Sequence, residues 1–173
     1  MARRPIIAVV GTGREIEPAV SNAREVGRLI AEQGWVLLTG GRDQGVMQAA
    51  NEGAKAAKDS LAIGILPSSS AAVSSEVDVA IFTDTGEARN NIIVLSADVV
   101  IACGVDGAGT ASEVALAIKN GKRVVLLGVG PDSEAFFARI GGDSVQIAKT
   151  PDEAIKIARS NLRRRDQFRI DGI

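Results

Sequence analysis

The chain has no histidine and no tyrosine, one cysteine and one tryptophan. Without histidine, a Ser-His-Asp triad, a Cys-His pair and any histidine-bearing metal site are excluded. Cys103 has no partner for an internal disulfide, and at the end of an apolar run it reads as a small packed residue rather than a nucleophile. One tryptophan and four phenylalanines leave little aromatic surface for stacking bases, and a formal net charge of -1 makes no electrostatic footprint for a nucleic acid, so no nucleic-acid partner is expected. No apolar run approaches the ~20 residues that span a bilayer. The opening MARRPIIAVV enters a strand pattern directly instead of a signal peptide. A cytoplasmic protein without a membrane partner is the expectation. Any catalysis falls to carboxylates, Arg, Lys, hydroxyls or the backbone.

What is present is a regular alternation. The length of 173 residues, 46% of them hydrophobic, suits a single domain over residues 1–173 with a sizeable core. Apolar β-branched runs predict strands at 5–10, 35–38, 61–66, 79–82, 98–103, 123–127 and 145–148. Helical patterns occupy 18–33, 45–57, 87–97, 111–119, 132–139 and 151–165. Strands as uniformly apolar as IIAVV, VVIAC and VVLLG imply burial on both faces. The fold class is therefore α/β: a doubly wound three-layer sandwich with a central, mostly parallel sheet. The last helix opens on a capping box of Thr150, Pro151 and Glu153, and the run Arg163, Arg164, Arg165 is placed where cations complement a helix C-terminus.

In such sheets ligands collect at the carboxyl ends of the strands. Three glycine turns fall there: Gly11-Thr12-Gly13, the segment from Gly40 and Gly41 to Gly45, and residues 104–113, GVDGAGTASE. The third bears most on function, because glycines between a strand and a helix let backbone N–H groups converge at the helix N-terminus, an arrangement that binds anions. No G-x-x-x-x-G-K-[ST] occurs, the first turn lacks the third glycine of G-x-G-x-x-G, and Thr39-Gly40-Gly41 stands where a ribose-binding acid is expected, so P-loop and dinucleotide readings fail.

Gly40-Gly41 with Gly45-Val46-Met47, Arg89 nine residues before Asp98, and Gly107-x-Gly109-Thr110-x-x-Glu113 together resemble the LOG family of Rossmann-like proteins in the SLOG superfamily, which carries an older lysine decarboxylase label. The resemblance covers residues 6–129 and includes the family's PGGxGTxxE motif. Gly86-Glu87-Ala88-Arg89-Asn90 is most similar to the subgroup of molybdenum cofactor carrier proteins. It implies a Rossmann-like fold and binding of a small phosphorylated ligand, nucleotide-like or of the molybdopterin type, with no required cofactor. The alternative it implies is a nucleoside 5'-monophosphate phosphoribohydrolase that yields free base and ribose 5-phosphate, with Arg89 and Glu113 as the catalytic pair. Ligand-binding positions are then Gly11, Thr12, Gly40, Gly41, Gly45, Gly107, Ala108, Gly109 and Thr110. Family members commonly form homodimers or homotetramers, and the run Ile92 to Leu95 is apolar enough for a partner to cover.

Several residues carry a second reading. Thr110 and Glu113 also spell a capping box, in which the glutamate would serve the helix start. Thr12 and Arg42 are further candidates for phosphate contact. Val105 and Asp106 replace the proline and first glycine of the family motif. A carboxylate about 4 Å from one unit of phosphate charge costs on the order of 4 kcal/mol at an effective dielectric of 20, more than the ~0.3–2 kcal/mol a helix terminus returns. Asp106 therefore points away, or the ligand is not held there as a simple phosphate. A pyridoxal phosphate decarboxylase needs a Schiff-base lysine in the pocket, and none lies in the three turns.

Overall fold

The central strands are buried on both faces, as a parallel sheet covered by helices requires, and parallel pairing sets the sheet end at which a cleft opens. The computed structural model describes residues 3–170, the backbone alone from 164 onward. In chain order it contains β1 (Ile6–Gly11), α1 (Ala19–Glu32), β2 (Val36–Thr39), α2 (Gly45–Lys55), β3 (Ala62–Leu66), β4 (Val79–Phe82), α3 (Arg89–Ser96), β5 (Val99–Cys103), α4 (Ala108–Lys119), β6 (Arg123–Leu127), α5 (Pro131–Gly141), β7 (Val145–Ala148) and α6 (Pro151–Ile170). The strand order is β4-β3-β2-β1-β5-β6-β7 and every pairing is parallel. This is a Rossmann-like α/β sheet.

Strand alternation divides the core into two layers. Ile7, Val9, Ile101 and Leu127 face α1, α2 and α6, while Ala8, Val10, Val100 and Leu126 face α3, α4 and α5. The chain winds outward from β1 on one side and from β5 on the other, so the switch point lies between these two neighbours. At the opposite end of the sheet, aspartates secure the strand starts. Asp98 Oδ2 accepts from Ile6 N at 2.9 Å and Oδ1 pairs with Arg3, while Asp78 Oδ2 accepts from Ala62 N at 2.8 Å and Oδ1 pairs with Lys55. Asp98, part of the family pattern, is thus far from the cleft.

Most boundaries fall within one or two residues of expectation, and the two that differ most do so for reasons visible in the backbone. Helix α4 begins at Ala108, not at 111, because Gly107 in an extended conformation (φ -169°, ψ 167°) serves as its N-cap. Gly109, a poor helix former, therefore lies in the first turn and hid the start. This removes the Thr110–Glu113 capping box: both residues lie inside the helix, and Glu113 caps nothing. Helix α6 runs on to Ile170, so the arginine run begins within it rather than ending it; the side chains of 164 and 165 lie outside the described residues. At the Thr150 start, Thr150 Oγ1 accepts from Glu153 N as in a capping box, while Glu153 Oε2 accepts from Lys149 N, one residue before the N–H a full box uses. Among the described residues, no helix is long and apolar enough to cross a membrane.

Helices α1 and α2 meet backbone to backbone. A Cβ at Gly53 would lie 1.8 Å from Arg24 O, and one at Gly27 2.0 Å from Ala50 O. In a solvent-exposed helix Gly→Ala stabilises by roughly 0.5–1 kcal/mol. Here Gly53→Ala is expected to destabilise by about 1–3 kcal/mol, because neither backbone can yield without separating the helices. Chemical denaturation measures this, and a variant as stable as the parent would refute the contact.

Candidate functional site

A cleft of about 370 Å³ opens at the carboxyl ends of β1, β2 and β5. Gly11, Thr12, Gly13 and Arg14 line it from the turn after β1; Gly40, Arg42, Gln44 and Met47 from the turn after β2 and the start of α2. Gly107, Gly109, Thr110 and Glu113 come from the start of α4, and Glu87, Arg89 and Asn90 from the start of α3. The three glycine turns of the sequence thus converge on one space. The first hydrogen bond of α4 runs from Ala111 N to Gly107 O, so the N–H groups of 108–110 have no partner within the helix. Their dipoles add to a positive helix end beside the cleft.

Arg89 is the most constrained side chain here. Only 4% exposed, it lies across Gly40, where a Cβ would come within 2.2 Å of Nη1 and 2.5 Å of Met47 Sδ. Nη1 donates to Ile65 O at 3.0 Å, while Nε is buried without a partner. Burial lowers the Arg89 pKa; the negative charges of Glu113 and Glu87 oppose this, and nearby Arg42 adds to it. Glu113 is 8% exposed, and burial raises its pKa from the ordinary 4.5 to about 7, Arg89 opposing and Glu87 reinforcing. Among the described residues no hydrogen bond or ion pair joins Arg89 to Glu113, so the two act on each other through space across the cleft. A carboxyl poised near neutrality, aimed into a cleft and free of hydrogen-bonding duty can either share a proton with a ligand or exchange one.

Of the residues expected from sequence, Arg89, Glu113, Gly11, Thr12, Gly40, Gly107, Gly109 and Thr110 line the cleft. Gly41, Gly45 and Ala108 do not. Gly41 (φ 70°) turns the chain against β3, where a Cβ would come within 2.9 Å of Gly64 Cα. Its N–H donates to Thr39 Oγ1, which in turn donates to Asn51 Oδ1. Gly45 (φ 53°) lets the second turn close on the first, since a Cβ there would lie 2.3 Å from Thr12 O. Ala108 contributes its backbone N–H as the first residue of α4. Asp106 resolves in favour of pointing away: its carboxylate folds over Gly104, within 2.7 Å of the place a Cβ would take, and its carbonyl accepts from Arg14 Nη2 at 3.0 Å. Cys103 is fully buried and its pKa is pushed up to about 12, which keeps it a packed thiol. Sequence reasoning missed Arg14, Gln44, Met47, Glu87 and Asn90. Glu87 and Asn90 flank Arg89 within the motif and Arg14 directly follows Gly13, which is the signal that adjacency offered.

Fold and cleft together define a class: a Rossmann-like α/β protein with a compact, glycine-lined cleft at the switch point of its sheet. The chain matches the sequence model of the SLOG cluster4 family over residues 4–155, and it belongs to that family. Its fold is shared, at a TM-score of 0.90 and 51% identity, with the molybdenum cofactor binding protein of the phototrophic bacterium Rippkaea orientalis, over 94% of this chain and 99% of that one. The molybdenum cofactor carrier protein of Chlamydomonas reinhardtii is similar at a TM-score of 0.86 and 45% identity, over 92% of this chain and 99% of that one. An uncharacterised protein of Archaeoglobus fulgidus is 41% identical over 149 residues, which is 86% of this chain and 91% of that protein.

The Glu113 environment has a consequence for stability. The folded protein binds this proton more tightly than the unfolded chain does, so stability is full below a pH of about 4.5 and is lost as pH rises towards about 7. Glu113→Gln removes the burden of the buried charge. At pH 8 the variant is expected to be more stable than the parent by up to roughly 3 kcal/mol, the gap closing at pH 4. Parallel curves of melting temperature against pH for the two proteins would overturn this.

Proposed function

We propose that this protein binds, as cargo rather than as a resident cofactor, an anionic ligand of the molybdopterin type, and acts as its carrier in the cytoplasm. The observation that carries this reading is the charge balance of the cleft. Three guanidinium groups, Arg14, Arg42 and Arg89, face two carboxylates, Glu87 and Glu113, and burial pushes the Glu113 pKa up to about 7, which weakens its negative charge at neutral pH. With the free amides of α4 added, the site favours a negative group. In this reading Arg89 and Arg42 take phosphate oxygens through their planar forks. Thr12 and Thr110 offer hydroxyls, and the amides of 107–110 complete the cradle. The Rippkaea and Chlamydomonas proteins, both similar over nearly the whole chain, support the same ligand class.

Gly109 separates a ligand role from a structural one. A Cβ there meets nothing within 4 Å, so neither packing nor backbone demands glycine. Gly109→Ala is expected to leave the fold intact, or to stabilise it by about 0.5–1 kcal/mol, while the added methyl obstructs the ligand. The test is the amount of pterin that co-purifies from cells making the cofactor, read by its fluorescence after oxidation. The parent should retain pterin, with Gly109→Ala and Arg89→Ala retaining at least about fivefold less, the equivalent of about 1 kcal/mol. A parent that retains none, and binds no phosphorylated ligand at millimolar concentration, would overturn the carrier reading.

A second reading, phosphoribohydrolase, is favoured by one observation: Glu113 is buried, faces the cleft, has no partner among the described residues and titrates near neutrality. Such a group can protonate a departing base or activate water, and in its ionised form its carboxylate can stabilise the oxocarbenium-like sugar. Incubation with nucleoside 5'-monophosphates distinguishes the two. Base release that Glu113→Gln abolishes establishes the hydrolase, and release from no substrate excludes it. We also propose a homodimer or homotetramer. Val79, Ile81 and Phe82 of β4 and Ile92 and Leu95 of α3 are exposed apolar side chains, which supports coverage by a partner subunit. Sedimentation as a monomer at micromolar concentration would refute it.

A further inference from the structure

A second hollow, of about 320 Å³, lies beside the glycine turn and is lined by Val105, Gly107, Ala111, Asp132, Phe136 and Phe137. It is mainly apolar, whereas the cleft is ringed by charge. Gly107 lines both. At Gly107 the backbone is extended, a conformation any residue adopts, and an added Cβ would meet nothing within 4 Å. Nothing within the chain requires the open space at this junction. Phe136, although 47% exposed, does not swing freely: its ring meets Phe137 edge to face at 5.1 Å and 77°, and the Arg139 guanidinium stands 5.6 Å from its centroid. Buried Phe137 anchors the pair to the core below α5.

We propose that this hollow is a ring subsite that continues the cleft past Gly107, taking the planar heterocycle of a ligand whose phosphate is held at the turn. The inference rests on the anion-binding reading of the cleft and adds the part of the ligand that the cleft does not explain. A held aromatic ring offers a stacking face to a flat heterocycle, and Asp132 offers a carboxylate to the adjacent N–H and NH₂ donors of a pterin's pyrimidine edge. The passage at Gly107 is open because a side chain there would stand between the two halves of one ligand. Charge at one end and an apolar, aromatic shelf at the other match a phosphorylated pterin better than a sugar phosphate, which has nothing to place on Phe136.

Two probes test the division: neopterin monophosphate, which has both ring and phosphate, and ribose 5-phosphate, which has no aromatic ring. Affinities are read by pterin fluorescence and by calorimetry. Phe136→Ala is expected to weaken neopterin monophosphate about five- to a hundredfold, the range of one lost aromatic stack, and to leave ribose 5-phosphate unchanged. Phe136→Trp should restore pterin binding. Failure of Phe136→Ala to weaken the pterin, or equal weakening of both probes, overturns the subsite. So does binding of ribose 5-phosphate alone by the parent. A Phe136→Ala variant that alters sedimentation and not pterin affinity assigns the ring to a subunit interface and overturns it as well. If the parent binds neither probe, the anion reading of the cleft itself fails, an outcome distinct from loss of the ring subsite.

Discussion

A guanidinium held out of water at the carboxyl end of the sheet is the constraint around which the site is arranged. Burying a charge without a counter-ion in contact costs several kcal/mol even after relaxation. Arg89 meets that condition with one hydrogen bond to Ile65 O and a buried Nε that finds no partner. Space for it exists only because position 40 has no side chain, and Glu113 and Glu87 favour its charge from a distance. The cost is carried by the two apolar layers elsewhere in the sheet. An unneutralised cation in a preorganised cleft is costly by itself, which is the arrangement expected of the anion site proposed above. Glu113 shows the complementary strain, a carboxyl that burial presses towards neutrality.

Cleft width depends on contacts that are not themselves in the cleft. Backbone contact at Gly27 and Gly53 brings α1 and α2 together, and with them the turns that open each helix. Gly45 then sits on Thr12 O, its N–H donates to Glu15 Oε1 at 2.8 Å, and Val46 N donates to Thr12 O at 3.0 Å. These bonds lock the first turn to the second. On the other side Arg14 reaches the carbonyl of Asp106 and ties the first turn to the glycine loop of α4. The three turns thus form one connected rim, and the departure from the family motif at Asp106 is absorbed into it: the carboxylate covers Gly104 while the carbonyl accepts from Arg14.

The alternation of strands and helices was legible because both faces of each central strand are buried, which leaves unbroken apolar runs between amphipathic segments. Element edges shifted where glycine obscured them. The start of α4 is the clearest case, since a glycine in the first turn lowers helical propensity without preventing the helix when Gly107 caps it. Arg89 and Glu113 were legible through their place in a spaced motif. Met47, Gln44 and Arg14 were not, because their relevance depends on which way a helix or turn faces. Gly41 and Gly45, expected as ligand contacts, are positions where two backbones meet and do not line the cleft. From sequence the two cases are indistinguishable: both require a missing side chain.

By itself the sequence determined the class of fold, the sheet end at which a ligand site would lie and the chemical types available there. Those properties follow from local pattern, from burial and from the absence of histidine. Only the tertiary structure decided that Arg89 and Glu113 share one cleft without touching, that Asp106 turns away from it, and that an aromatic hollow adjoins it across Gly107. These depend on approach between segments distant in the chain, where a few tenths of an ångström separate a contact from a clash and where burial, not residue type, sets the charge a carboxyl carries.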